Sequence, residues 1–258
     1  MKGGLLLELM LSADGISLSY FHEKASLKVI DRISFKVYSG EFLSIVGPSG
    51  CGKSSMIRIM AGLMEPTAGR VFYKGKEVHS PPEGIALVFQ NFALLPWKNA
   101  LDNVKLALDN FPISDKEKTE KAMKALNDVN LGGFESAYPS ELSGGMKQRV
   151  GFARALAEDP DLLLMDEPFS SLDDLTASQL RGEVHHILKD KSLPVKSVVM
   201  VSHNVDEVVE LSDRILVFSK APSHIVDSIP VRMKYPREKQ SSEFQSIVNR
   251  IYKDLYSD

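Results

Sequence analysis

Eight consecutive residues, Gly47-Pro48-Ser49-Gly50-Cys51-Gly52-Lys53-Ser54, carry the strongest chemical signal in the chain. They fit the pattern G-x-x-x-x-G-K-[ST]. The compact apolar run Phe42–Val46 precedes them, and Met56, Ile59, Met60 and Leu63 follow at helical spacing. Small residues let successive backbone N–H groups curl around an anion, and the helix start behind them adds the positive end of a dipole. In such a loop Lys53 neutralises the outer phosphates of a nucleoside triphosphate, and the Ser54 hydroxyl ligates Mg²⁺.

A second acidic site lies downstream. Asp161-Leu-Leu-Leu-Met-Asp166-Glu167-Pro168 is an apolar strand that ends in two carboxylates. Alone, this is an exposed acidic turn after a core strand. Paired with a phosphate loop it gains a chemical role: Asp166 holds Mg²⁺ through water, and Glu167 polarises an attacking water as general base.

The elements that must position these groups can be read from periodicity. From Ile16 to about Val46 the chain alternates as strands do, ending in the buried run Phe42–Val46. EPTAG (65–69) reads as a turn, and GRVFYKGKEV (69–78) as two short strands around Lys74-Gly75. From about 91 to 160 the chain turns helical. Ser114-x-x-Glu117 predicts a capping box, with Ala122, Met123, Leu126 and Val129 on one face and Gly132-Gly133 as the stop. After Pro160 strand and helix alternate again: LLLMD, a helix over 174–190, SVVMVS, a short helix, then RILVF. That alternation implies a parallel sheet covered on both faces, with the helical block inserted into an α/β core. At the C-terminus Phe244, Ile247, Val248, Ile251 and Leu255 form an amphipathic face expected to pack back on the core.

Composition narrows the class. The 258 residues are 43% apolar and 25% charged, as in ordinary soluble domains, and the net charge of −3 lacks the basic excess of a nucleic-acid binder. No stretch approaches the ~20 apolar residues needed to span a bilayer. The opening MKGGLLLELML is short, interrupted by Glu8 and without a small-residue cleavage site, and reads as a first strand or frayed terminus. One cysteine, Cys51, leaves no intrachain disulfide and suits a reducing compartment. It also invites a labelling test, because a reagent on a phosphate-loop thiol should block nucleotide binding.

Leu142-Ser143-Gly144-Gly145-Met146-Lys147-Gln148-Arg149, placed just before LLLMDEP, resembles the signature motif of ATP-binding cassette proteins, usually LSGGQ. A lone Ser-Gly-Gly would be a helix start with Ser143 as N-cap. The resemblance covers about residues 15–230 and implies a phosphate-loop NTPase (RecA-like) core with a mostly parallel sheet, an N-terminal antiparallel β subdomain and an inserted α-helical subdomain. It implies a nucleotide-binding domain over 1–232, with the insertion at about 91–160, and a tail over 233–258 bearing the amphipathic helix. It also implies further site residues. Tyr20 resembles the aromatic residue on which adenine stacks, with Phe21 as competitor. Gln90 resembles the glutamine that touches Mg²⁺ and the attacking water, Asp173 the loop that crosses the dimer interface, and His203 the histidine that contacts the γ-phosphate. Ser55 stands where Thr is commoner, Met146 replaces the usual Gln, and Asn204 follows His203 where the family usually has Asp.

The family arrangement implies an ATP- and Mg²⁺-dependent ATPase that works as a head-to-tail homodimer, with Ser143 and Gly145 of one copy donating to the γ-phosphate held by the other. The stretch Phe92-Ala-Leu-Leu-Pro-Trp97 is where such cassettes dock a helix of a membrane subunit; the same residues also suit an internal core. QNFALLPWKNALDNV and the segment around SHNVDEVVELSDRILVF are similar to ATPases of the nitrate, sulfonate and taurine importer group. This implies integral membrane permease subunits, an external solute-binding protein, and a place at the cytoplasmic face of the membrane. The alternatives are an iron–sulfur assembly ATPase and a nucleic-acid-linked cassette. The long coiled-coil insertions or tandem cassettes of the latter are missing from this sequence, so no nucleic-acid partner is expected.

Overall fold

Apolar residues alternating with polar ones, among them Ile16, Leu18, Ile33, Phe35 and Val37, shape the start of the chain. The computed structural model describes residues 8–22, 25–189 and 193–256, so residues 1–7 of the expected first strand lie outside it. β1 (Leu9–His22) and β2 (Ala25–Tyr38) are followed by β3 (Phe42–Val46) and the helix α1 (Lys53–Met60). β4 (Ala68–Tyr73) and β5 (Lys76–Glu77) form a hairpin around Lys74-Gly75, both at positive φ, which matches the twist of the flanking strands. α1 stops at Met60, with Gly62 at φ +69°; Leu63, expected on its apolar face, falls beyond the helix and is 52% exposed.

The chain divides into two compact units, Met1–Pro82 with Lys196–Asp258, and Glu83–Val195. In the first unit β2-β1-β4-β5 form an antiparallel sheet.

The second unit holds β6 (Ile85–Val88), α2 (Ala100–Lys105), α3 (Asp115–Asp128), α4 (Gly144–Leu156), β7 (Leu162–Asp166) and α5 (Asp174–Lys189). β6 and β7 pair in parallel, and every residue of β7 is buried. β6 escaped the sequence reading because its four residues are too few to show a period. The capping box at Ser114 and Glu117 forms, yet the buried face of α3 is Ala122, Ala125 and Leu126, while Met123 is 43% exposed. The helix ends before Gly132-Gly133: Val129 is the C-cap and Asn130 makes the left-handed reversal at φ 57°. Asparagine tolerates that conformation. Residue 190, the expected last residue of the 174–190 helix, lies outside the described residues.

The first unit resumes with β8 (Ser197–Ser202), α6 (Val205–Leu211), β9 (Arg214–Phe218), β10 (Ile225–Pro230) and α7 (Ser242–Tyr256). β3 lies between β8 and β9, parallel to both, and β10 adds antiparallel to β9. β3 and β8 are buried throughout, which explains why their sequences are apolar apart from the buried serines Ser44, Ser197 and Ser202. β10 contains Asp227, Ser228 and Pro230, a composition tolerated at an edge and poorly legible as a strand. α7 packs on α6, β9 and β10 through Phe244, Val248 and Ile251. Arg237, ahead of that helix, donates from Nη1 to the carbonyls of Val209 (2.7 Å), Glu210 (3.3 Å) and Ser212 (2.7 Å) at the end of α6. Among the described residues no helix is long and apolar enough to cross a membrane.

Candidate nucleotide site

In the first unit the phosphate loop leaves the end of β3 and enters α1. Gly50 has φ +79° and Gly52 φ +96°, conformations that L side chains rarely adopt, and a Cβ at Gly52 would lie 2.8 Å from the Ile30 side chain. Gly52 is the N-cap of α1 and offers no side chain to its first N–H groups, which suits an anion there. Lys53 is buried, and its Nζ donates back to the carbonyls of Gly47 (2.8 Å) and Pro48 (3.1 Å). Ser49 and Gly50 are exposed at the loop tip, and Ser54 is half-buried.

Cys51 points the other way. It is fully buried, and burial pushes its thiol above the ordinary range. The labelling expected of a phosphate-loop thiol is therefore corrected: this sulfur belongs to the packing beneath the loop. A Cβ at Gly47 would lie 2.8 Å from it.

Of the two aromatic candidates, Tyr20 is tied to the loop's helix. Its hydroxyl lies 2.9 Å from Ser55 Oγ on α1, with the side chain 45% exposed. Phe21, its neighbour on β1, is 74% exposed. His203 is exposed directly after β8. Asn204 is the N-cap of α6, its Oδ1 accepting from the N–H groups of Asp206 (3.0 Å) and Glu207 (3.3 Å). An amide oxygen thus fills the capping position that a carboxylate would otherwise occupy. Ser202 Oγ, 2.9 Å from Glu207 Oε2, accepts from the Asn204 N–H and fixes the turn around His203.

In the second unit β7 delivers Asp166, 5% exposed, and Glu167 follows at φ 46° in the left-handed region. Strained backbone of this kind clusters at functional sites. Gln90, after β6, donates from Nε2 to Glu167 Oε2 at 3.3 Å and lies 3.4 Å from Ser170 Oγ. Ser170 Oγ in turn donates to the Glu167 carbonyl at 3.0 Å.

Beyond Gln90 the chain takes two left-handed residues in succession, Phe92 (φ 59°) and Ala93 (φ 47°). Arg154 on α4 donates to both carbonyls, from Nη2 to Phe92 at 2.6 Å and from Nη1 to Ala93 at 2.7 Å. The fully buried Asn103 holds the rest of the loop. It accepts from the Leu95 N–H and donates to the carbonyls of Leu95, Lys98 and Asn99. Trp97 stands 71% exposed between these anchors.

Ser143 is the N-cap of α4, accepting from the Met146 N–H at 3.2 Å, and both it and Gly144 are exposed. Gly145 is buried against α5, where a Cβ would lie 2.5 Å from Thr176 Cγ2. The same threonine donates its N–H (3.0 Å) and hydroxyl (2.7 Å) to Asp173 and holds that carboxyl below its usual range. The fold thus joins Gln90 to Glu167 and, through Thr176, Asp173 to Gly145. Arg154, Asn103 and Thr176 went unread in the sequence. Only Asn103, a lone amide within an amphipathic helix, left a trace there.

An apolar parallel strand feeding a Gly-rich loop and a helix, together with a buried strand ending in Asp166-Glu167, defines a phosphate-loop nucleoside triphosphatase. A profile of the ABC transporter family matches residues 30–170, and the chain belongs to that family as an ATP-binding, ATP-hydrolysing cassette. It is 45% identical over 218 residues to an uncharacterised ABC transporter ATP-binding protein of Methanocaldococcus jannaschii, covering 84% of this chain and 80% of that one. It is 37% identical over 240 residues to the aliphatic sulfonates import ATP-binding protein SsuB of Bacillus cereus, covering 93% of each. A solved dimeric cassette in a post-hydrolysis state, bound to ADP and Pi, superposes with a TM-score of 0.76 at 29% identity, covering 87% of this chain and all of that one.

Proposed function

We propose that this chain is the ATPase subunit of an importer for a small solute of the nitrate, sulfonate and taurine group, working as a head-to-tail homodimer under membrane permease subunits. The reading is supported by the similarity to SsuB along nearly the whole chain and by the dimeric state of the related cassette. An external solute-binding protein and a location at the cytoplasmic membrane face belong to the same proposal.

The roles follow from the chemistry of each group. Backbone amides from Gly47 to Ser55, Pro48 excepted, take the phosphates with Lys53, and adenine stacks on Tyr20. Glu167 accepts a proton from water, and Gln90 holds its carboxylate in place. Ser143, Gly144 and Gly145 of the second copy face the γ-phosphate; the Ser143 oxygen that caps α4 retains its own hydrogen for a phosphate oxygen. His203 contacts the same phosphate, and Asp173 meets the second copy.

The hydroxyl of Ser54, the carboxylate of Asp166 and the amide of Gln90 are hard oxygen donors of the kind Mg²⁺ takes. Among the described residues no group of three or more His, Cys, Asp or Glu could hold a metal by itself. That fits an ion that draws most of its ligands from phosphate and water. When bound, it neutralises charge on the outer phosphates.

The observation that carries the proposal is the Gln90–Glu167 contact at the head of a loop that exposes Trp97. It links the group that handles water to a surface that a membrane subunit can move. Glu167→Gln is expected to bind Mg-ATP, to lose phosphate release by about 100-fold or more, and to accumulate as a dimer in gel filtration with ATP. Turnover at the wild-type rate would remove Glu167 from its role. Co-purification of integral membrane subunits supports transport, whereas capture of soluble scaffold proteins alone would favour a cytosolic assembly ATPase.

A further inference from the structure

We infer that Arg154 is a positioning residue for hydrolysis: its guanidinium fork locks Phe92 and Ala93 in left-handed backbone, and that lock holds Gln90 against Glu167. The inference rests on the roles given above to Gln90 and Glu167. It adds a mechanical dependence of that pair on the far end of α4, the helix that begins at Ser143.

A non-glycine residue at positive φ is costly, and two in succession persist only where the surroundings impose them. Here one side chain imposes both. Planar Nη1 and Nη2 groups reach adjacent carbonyls at 2.7 and 2.6 Å, a two-pronged grip that a point-charge ammonium cannot copy. α4 also touches this turn one helical turn earlier: a Cβ at Gly151 would lie 3.7 Å from Phe92. Arg154 is half-buried, and the Glu158 carboxylate acts on its charge. On the other side of the turn, Phe92 N–H donates to the Phe89 carbonyl at 3.1 Å. The left-handed pair therefore has little slack towards Gln90, two residues before Phe92. Asn103 anchors the far end of the loop at Leu95, Lys98 and Asn99, and Arg154 anchors the end nearest Gln90, so the motion of Trp97 depends on both.

Trp97, the only tryptophan of the 258 residues, reports on this loop directly. In the full chain, Arg154→Lys is expected to lower the anisotropy of Trp97 emission and to cut kcat for ATP by roughly ten- to a hundredfold. KM should stay within about threefold of wild type, because the phosphate loop is untouched. Adding Ala93→Gly, which accepts φ 47° without strain, is expected to restore most of the lost rate relative to Ala93→Gly alone. An arginine that merely stabilised α4 would be indifferent to residue 93. Unchanged anisotropy and kcat in Arg154→Lys, or no recovery in the double variant, overturns the inference. Should Arg154→Lys fail to fold, a folded and active double variant supports the clamp, and a double variant that still fails to fold overturns it. If the wild-type chain shows no ATPase activity, the proposed function falls, while the anisotropy comparison still decides whether Arg154 holds the loop.

Discussion

At the scale of single residues, burial decides which charged groups work and which only pack. Glu158, four residues beyond Arg154 in the turn that follows α4, has its carboxyl pushed up to about 7 by burial, with Arg154 opposing the shift. The folded chain then holds this proton over a range where the unfolded chain, with the ordinary value of 4.5, has released it. More protons bound in the folded state means that stability falls as pH climbs from about 4.5 through about 7. Glu158→Gln removes the titration, so its melting temperature should exceed that of wild type by a few degrees at about pH 8. The gap should narrow towards about pH 5, as read by scanning fluorimetry. A constant gap across that range would show that Glu158 is not the titrating group. The residue types at the phosphate loop were legible because their spacing is the chemistry. Which way Cys51 faces was not, since spacing along a loop says nothing of inside and outside.

Among the elements, α4 is the member under most constraint. Its N-terminus sits so close to α5 that residue 145 has no room for a side chain. Gly145→Ala places a methyl 2.5 Å from Thr176 Cγ2 and is expected to cost about 1–3 kcal/mol, measured as a lowered urea midpoint with unchanged slope. Thr176→Ser deletes that Cγ2 and should recover most of the loss in the double variant. Arg149 adds a second tie, donating to the Val129 carbonyl at the end of α3 and pairing with Glu183 of α5 at 2.7 Å. The sequence marked the start of this helix, because Ser143 announces a cap. It also displayed β3, β7 and β8, whose short, largely apolar runs leave few other readings. The left-handed turn at Phe92-Ala93 was invisible: neither residue favours that backbone, and the arginine that enforces it lies about 60 positions away. Helix ends slipped for a related reason. Asn130 could reverse the chain before the more obvious Gly132-Gly133 was reached, and local residue preferences rank such choices only weakly.

For the molecule as a whole, the importer role proposed above would use the exposed Trp97 to pass force to a neighbour. Trp97→Ala is expected to weaken capture of the membrane subunits from detergent extract by at least about tenfold, in line with the loss of a buried aromatic anchor. Undiminished capture would move the docking surface elsewhere. The C-terminal tail has a bearing on the other end of the reaction. Arg237 gathers three carbonyls where α6 finishes, and the N-cap of α6 is Asn204, one residue past His203. A version of the chain trimmed ahead of residue 237 would therefore do more than shed a surface helix. Strands β9 and β10 beneath it would survive, but the short rod behind the histidine would lose its rear mooring, and with the role proposed for His203 sloppiness introduced at the tail would surface as poor timing at the phosphate.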